Sequence, residues 1–348
     1  MRTELLRLDP GSVSVDQLEN AGRIIREGGL VVFPTETVYG LGGNALDACA
    51  SQKIYAAKGR PSDNPLIVHV ADPVDAERFA FVNDGYRELA RAFMPGPLTV
   101  ILPKKDVVPF QTTGGLSSVA VRCPSHPVAH ALIQAAGVPI AAPSANLSGK
   151  PSPTCASDVE EDMNGRVDLI LDGGPCEIGL ESTIVSLIGS VPTLLRPGAV
   201  TYDALCCVLP RVEIAPAVTG QLHPDEPVLS PGLKYRHYSP DAPCVLLEGD
   251  PEDVLRFLKR AQRESKCAIL CFDEELPDLQ NERLFPVGPR DDLKAQAHTL
   301  FSLLRAADRS GADVIYAHLP PREGLGLALY NRMIRAAAHT IQNVSKTR

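Results

Sequence analysis

The chain is predicted to be an α/β protein in two parts, a larger open twisted sheet followed by a smaller parallel one. Three observations predict it. Through residues 1–205, short apolar runs bounded by Gly, Pro and Asn alternate with amphipathic stretches, the rhythm of strands interleaved with covering helices. Residues 206–240 break that rhythm with repeated X-Pro pairs and few periodic apolar positions, which reads as an extended linker. From residue 241 to residue 348 the alternation resumes, as a β-α-β series expected to form a Rossmann-like parallel sheet with right-handed crossovers.

The elements follow in order. Residues 14–28 fit a helix with Ser14 as its cap, Val15, Leu18 and Ile25 near one face, and Gly28-Gly29 as its stop. The run 30–33 (LVVF) is a strand. Asp47 can cap a helix to Lys58, and 66–70 (LIVHV) is a strand. Further strands fit 98–102, 118–122, 138–142, 167–171 and 183–188, and helices fit 84–93, 126–136 and 201–208. In the second part, strands fit 243–247, 267–272 and 312–316, and helices fit 250–262, 292–309 and 325–341.

Composition narrows the function classes. The net charge is −8, and residues 1–205 carry 16 basic against 23 acidic residues. That balance excludes binding to a phosphate backbone by bulk charge, and no stable duplex nucleic-acid binding is expected. Any anion site must be a local basic cluster. Without Trp and with 5% aromatics, the chain lacks a stacking platform for single strands. Nine cysteines without a CxxC pair give no structural zinc site and no disulfide framework, so reduced thiols and a cytoplasmic location are expected. No apolar run is long enough to span a bilayer, no signal peptide is visible, and no membrane association is expected.

Several segments could carry chemistry. FPTETVYGLG (33–42) reads as a glycine-punctuated loop after a strand, with hydroxyls from Thr35, Thr37 and Tyr39. The carboxyl end of a strand is where open α/β sheets bind ligands, although an ordinary turn has the same look. In KGRPSDNPLIVHV (58–70), Lys58 can simply complement a helix dipole. Arg60, held between Gly59 and Pro61, suits bidentate phosphate recognition better. His69 sits in an apolar strand, where a satisfied core histidine is the ordinary reading. APSANLSGKPSPT (142–154) offers Ser144, Asn146, Ser148, Lys150, Ser152 and Thr154 among Pro and Gly, an anion nest or a polar surface loop. It is not a Walker A loop. Arg122 in VAVRCP (119–124), and Ser182 and Arg196 flanking a hairpin at 182–200, complete a basic rim in an acidic domain. The ligand this rim fits is a polyphosphate or carboxylate. No nucleophile elbow or catalytic triad is visible.

Taken together, FPTETVYGLG, KGRPSDNPL, VAVRCPSH, APSANLSGKPSPT, ESTIV and LRPGA resemble, in order, the threonylcarbamoyl-AMP synthase family, the YrdC-like proteins. SPGLKYRHYSP (230–240) and GLGLALYNRMIRAA resemble the linker and tail of its long form. The resemblance implies a YrdC-like twisted open α/β sheet with a positively charged concave cleft (1–205), a linker acting as a lid (206–240) and a smaller Rossmann-like C-terminal domain (241–348). It implies conversion of ATP, L-threonine and bicarbonate to threonylcarbamoyl-AMP and pyrophosphate. The product would supply threonylcarbamoyladenosine beside the tRNA anticodon, through a downstream tRNA-modifying transferase complex.

Carried over residue by residue, Thr35, His69, Arg122 and Ser182 would bind threonine. Lys58, Arg60, Asn64, Ser118, Ser144, Asn146 and Arg196 would bind ATP, with Tyr235 and His237 from the lid. Mg²⁺ would ride on the ATP phosphates without a protein cage. No residue stands out as an acid or base, so catalysis by templating is expected. An RNA-binding module is disfavoured by the charge balance. An O-carbamoyltransferase of the hydrogenase-maturation kind would carry zinc fingers ahead of this domain. A regulatory protein on the same fold would not need the retained cleft cations.

Overall fold

The computed structural model describes residues 2–220, 238–280 and 282–345. It divides into two units, Met1–Ser148 with Ser152–Lys234, and Gly149–Pro151 with Tyr235–Arg348.

The first unit is one mixed sheet of eleven strands. These are Glu4–Arg7 (β1), Val31–Phe33 (β2), Gly40–Asn44 (β3), Ile67–His69 (β4), Leu98–Pro103 (β5), Ser118–Arg122 (β6), Ile140–Ala141 (β7), Leu169–Asp172 (β8), Thr183–Ser186 (β9), Thr193–Arg196 (β10) and Glu213–Ile214 (β11). Their order across the sheet is β1-β8-β2-β3-β7-β4-β6-β5-β9-β10-β11. Helices Glu19–Arg26 (α1), Ala48–Lys58 (α2), Asp84–Phe93 (α3), Pro127–Ala136 (α4), Ala156–Met163 (α5) and Tyr202–Val208 (α6) connect them. Successive strand residues enter different cores. Val31 and Phe33 pack in one with Ile140 and Leu171, whereas Val32 packs in the other with Leu41, Val68 and Val121. A sheet covered on both faces explains why its strands read as unbroken apolar runs.

Several expected elements shift. The 14–28 helix is a 3-10 turn at Asp16–Leu18 followed by α1. Ser14 does anchor its start, receiving the Gln17 N–H on Oγ at 3.4 Å while its own N–H donates to Gln17 Oε1 at 2.8 Å. The glycine-rich end of FPTETVYGLG is no loop, because β3 pairs antiparallel with β2 and β7. A Cβ on Gly42 would lie 2.8 Å from Ile140 Cγ2 and 2.8 Å from Phe33 Cε1, so close packing excludes a side chain there. Residues 206–220 are also more than tether, since α6 runs to Val208 and β11 joins β10 in parallel.

The second unit is a five-stranded, wholly parallel sheet. Its strands are Cys244–Glu248 (β12), Cys267–Cys271 (β13), Leu284–Pro286 (β14), Val314–His318 (β15) and Ile341–Asn343 (β16), in the order β14-β13-β15-β12-β16. Helices Pro251–Glu264 (α7), Leu293–Arg309 (α8) and Gly326–Ala336 (α9) link them. The expected 325–341 helix ends at Ala336. Ala338 and His339 take left-handed φ of 46° and 63°, and the chain returns as β16 beside β12.

Candidate active site

Strand register in the first unit lines up one group of polar side chains. His69 on β4 stands beside Arg122 on β6, which stands beside Thr99 on β5. Thr99 Oγ1 and Ser182 Oγ are 2.7 Å apart. Arg196 Nε donates to Ser182 O at 3.0 Å and its Nη2 to Ser182 Oγ at 3.1 Å. All five are buried. A hydroxyl pair bonded to Arg196 therefore lies beside Arg122 inside the sheet.

Arg122 has its counterion in Glu36, whose Oε1 accepts from Nη2 at 2.8 Å, with both side chains at most 5% exposed. Glu36 Oε2 also accepts the Ser125 N–H at 3.3 Å. Arg122 Nε is buried without a partner among the described residues. Such an orphan donor is costly unless a ligand meets it. Thr35 closes the neighbouring turn. Its hydroxyl donates to Val38 O at 2.7 Å and receives the N–H groups of Thr37 and Val38 at 3.2 Å. This turn holds Glu36 under Arg122.

His69 meets the edge of Phe33 at 6.1 Å between ring centroids. Its Nδ1 faces Ile67 O at 3.1 Å and so donates to it. Burial, and then the Arg122 charge, push its pKa down to about 3. The imidazole is neutral at physiological pH, able to hydrogen-bond without adding charge beside Arg122.

A second group surrounds the end of α2. Asp47 caps that helix by accepting from Cys49 N, and Gly59 at φ 61° ends it. Lys58 in the last turn is buried, and its Nζ donates to Ser144 O and Asn146 O at 2.5 Å each and to Asn146 Oδ1 at 3.2 Å. Ser144 Oγ donates to the same Asn146 Oδ1 at 2.5 Å. Arg60 Nη2 donates to Asn64 O at 3.1 Å and Pro65 O at 3.0 Å. Both cations thus shape the two loops expected to cradle an anion. Asn64 Oδ1 is buried without a partner among the described residues. Ser118 opens β6 two residues before the Ala120–Ile67 pair, level with Pro65. The structure therefore gathers Lys58, Ser144 and Asn146, and separately Arg60, Asn64 and Ser118. Arg196, expected with them, is tied to Ser182 in the first group. Tyr235 and His237 lie outside the described residues.

Reading the sequence missed Glu36, Thr99 and Glu181 as partners. Glu36 sits inside the first motif, and the signal for it was Arg122 itself, since an arginine in an apolar strand needs a buried counterion. Thr99 carries no signal beyond its place in a strand. Ser152 is fully buried and donates to buried Glu181 at 2.5 Å, which ties the 142–154 loop to the residue before Ser182. No cluster of metal-ligating side chains occurs among the described residues, and no described helix is long and apolar enough to cross a membrane.

Comparisons with known proteins match this chain to a family. The profile of the Sua5/YciO/YrdC family, described as telomere recombination, matches residues 23–198. A profile described as the threonylcarbamoyl-AMP synthase C-terminal domain matches residues 200–338. The threonylcarbamoyl-AMP synthase of Bacillus subtilis is 43% identical over 332 residues, 94% of this chain and 95% of that protein. The synthase of Pyrococcus abyssi is 45% identical over 333 residues, 93% and 95% of the two chains. The crystal structure of P. abyssi Sua5 complexed with L-threonine superposes with a TM-score of 0.91 at 42% identity, covering 99% of this chain and 100% of that one.

Proposed function

The chain belongs to the threonylcarbamoyl-AMP synthase family in its two-domain form, and from that premise we propose how its site makes threonylcarbamoyl-AMP. It is an enzyme of the nucleotidyltransferase type, and its substrates include ATP and L-threonine. The observation that carries the reading is Arg122, a buried guanidinium half-neutralised by Glu36 and keeping an orphan Nε. A carboxylate is the group that satisfies such a donor best.

In this reading threonine places its carboxylate against Arg122. Thr35, Ser182 and neutral His69 hold the rest of the amino acid. The amine and bicarbonate condense to a carbamate with loss of water. A carbamate oxygen then attacks the α-phosphorus, the bond to the β-phosphate oxygen breaks, and pyrophosphate leaves. Little covalent chemistry falls to the protein, so alignment and charge neutralisation supply the acceleration. Loops held by Lys58, Arg60, Ser144 and Asn146 cradle the nucleotide, with Asn64 and Ser118 beside them, and Arg196 bridges to the threonine group. Mg²⁺ enters on the ATP phosphates as part of the substrate. The donor set suits this, because Glu36 and Glu181 are already engaged by Arg122 and Ser152. The product passes to a separate transferase for tRNA modification, in the cytoplasm.

The test is pyrophosphate release from MgATP with and without L-threonine and bicarbonate. Release that requires both is expected. Release indifferent to threonine, or none from a folded sample that still binds ATP, would overturn the reading.

A further inference from the structure

The second unit contains a cavity of about 370 Å³ at the carboxyl ends of its parallel strands. Leu247 and Glu248 come from β12, Leu270 from β13, and Ala317 and His318 from β15. Topology explains why a hollow forms there. From β12 the chain leaves toward β13, past β15, whereas from β15 it leaves toward β16, past β12. With right-handed crossovers those two connections lie on opposite faces, and the strands between them open a crevice.

The cavity has a polar corner built around one buried carboxylate. Glu275, 2% exposed, accepts from Arg290 Nη2 at 3.2 Å, lies 2.9 Å from His318 Nε2, and receives the Phe272 N–H at 3.0 Å. Burial works to raise its pKa, but His318, the Phe272 N–H and Arg290 outweigh that, so it is held below the usual carboxylate value. The Phe272 ring lies 4.4 Å from the His318 ring and 4.7 Å from the Arg290 guanidinium. Gln296 donates to Pro289 O at 2.8 Å and Arg290 O at 2.9 Å, fixing the arginine's backbone. Arg290 and His318 both line the cavity. Glu275 engages one edge of each, and Arg290 Nε and Nη1 and His318 Nδ1 make no hydrogen bond to the described residues. The remaining wall, with Leu247, Leu270, Leu300 and Met333, is apolar.

We propose that this cavity is a second ligand site, separate from the synthase chemistry, for an organic monocarboxylate with an apolar body. Its acid group sits on the free edge of Arg290, beside the His318 ring, and its body lies against the four apolar residues. Arg290, with Nη2 engaged by Glu275, offers its Nε and Nη1 donors to a single acid group. Glu248, exposed and also lining the cavity, opposes a second, which excludes a polyphosphate. The volume falls in the range of small-molecule sites, about 300–1,000 Å³.

The test uses the full chain and two fluorescent probes with one apolar body. 1-Anilinonaphthalene-8-sulfonate carries a single negative charge, and N-phenyl-1-naphthylamine carries none. Saturable binding of the sulfonate at one site is expected, at least about tenfold tighter than the amine. Arg290→Met should erase that preference and Ala317→Leu should weaken both probes, while threonine-dependent pyrophosphate release stays at the wild-type level. Hexanoate should displace the sulfonate and ATP should not. Equal affinity for the two probes, an unchanged preference in Arg290→Met, or displacement by ATP but not hexanoate would each overturn the proposal. Because Arg290 is one-third exposed and Glu275 keeps His318 and the Phe272 N–H as partners, its replacement tests the charge without emptying the core, and a cooperative calorimetric transition confirms the fold.

Discussion

Arg122 Nη2 lies 2.8 Å from Glu36 Oε1, and both side chains are at most 5% exposed. Breaking such a pair from one side leaves a buried charge uncompensated, at a cost of about 3–5 kcal/mol. Arg122→Met should lose stability on that scale in urea unfolding. Glu36→Gln together with Arg122→Met should recover most of it. Activity should not follow. If Arg122 binds the threonine carboxylate as proposed, the double variant still lacks that charge-assisted bond of about 1.5–3 kcal/mol, and its threonine KM should rise about 10- to 100-fold. A double variant with the wild-type threonine KM would remove Arg122 from the site.

Lys58 should behave differently. Its Nζ gathers Ser144 O and Asn146 O at 2.5 Å each, so in the proposed reading it acts on ATP through the loop it holds. Lys58→Met should leave those carbonyls unsatisfied, at about 1–3 kcal/mol. The ATP KM should rise more than the threonine KM, and amide exchange should quicken at 144–148. If exchange there is unchanged while ATP affinity collapses, Lys58 touches the nucleotide directly and does not act through the loop.

Much of the fold was legible because both cores impose strict patterns. The strand at 30–33, the helices ending at Lys58 and Phe93, and the parallel second sheet all follow from period and punctuation. What escaped reading depended on contacts far apart in sequence. The glycines of β3 read as a loop because nothing local reveals that Ile140 and Phe33 leave no room for a side chain at Gly42. The helix after Gly326 read too long because no Gly or Pro marks its end, and Ala338 and His339 take positive φ without one. In the site, the cations could be picked out one by one, but the separate groups they fall into and their buried partners could not. Glu36 lies 86 positions from Arg122, and Thr99 meets Ser182 across 83.

Gly42 supplies a stability test of that explanation. An alanine Cβ there would also lie 3.1 Å from Val31 O, in addition to the two 2.8 Å side-chain contacts. Backbone and ring must both give way. Overpacking of this kind costs about 1–3 kcal/mol, and calorimetry of Gly42→Ala should show a loss of that size. An unchanged transition would show that β3 can shift within the sheet and that the glycine is there for another reason.

His69 supplies a pH test whose sign follows from its burial. Burial first, and the Arg122 charge second, hold its pKa at about 3, against an ordinary value of 6.5. Between those values the unfolded chain binds a proton that the folded chain refuses. The contribution to stability is therefore fully present above pH 6.5 and is lost as the pH falls toward 3, at up to about 1.4 kcal/mol per pH unit. His69→Gln removes the titrating group. Its urea-unfolding free energy should fall less steeply than that of wild type between pH 6.5 and 4.5, by close to one proton. Turnover points the same way, because a histidine neutral throughout this range gives wild type no inflection of its own above pH 5. Equal slopes for the two proteins would mean that the folded chain protonates His69 near its ordinary pKa. Burial and the Arg122 charge would then not govern its protonation.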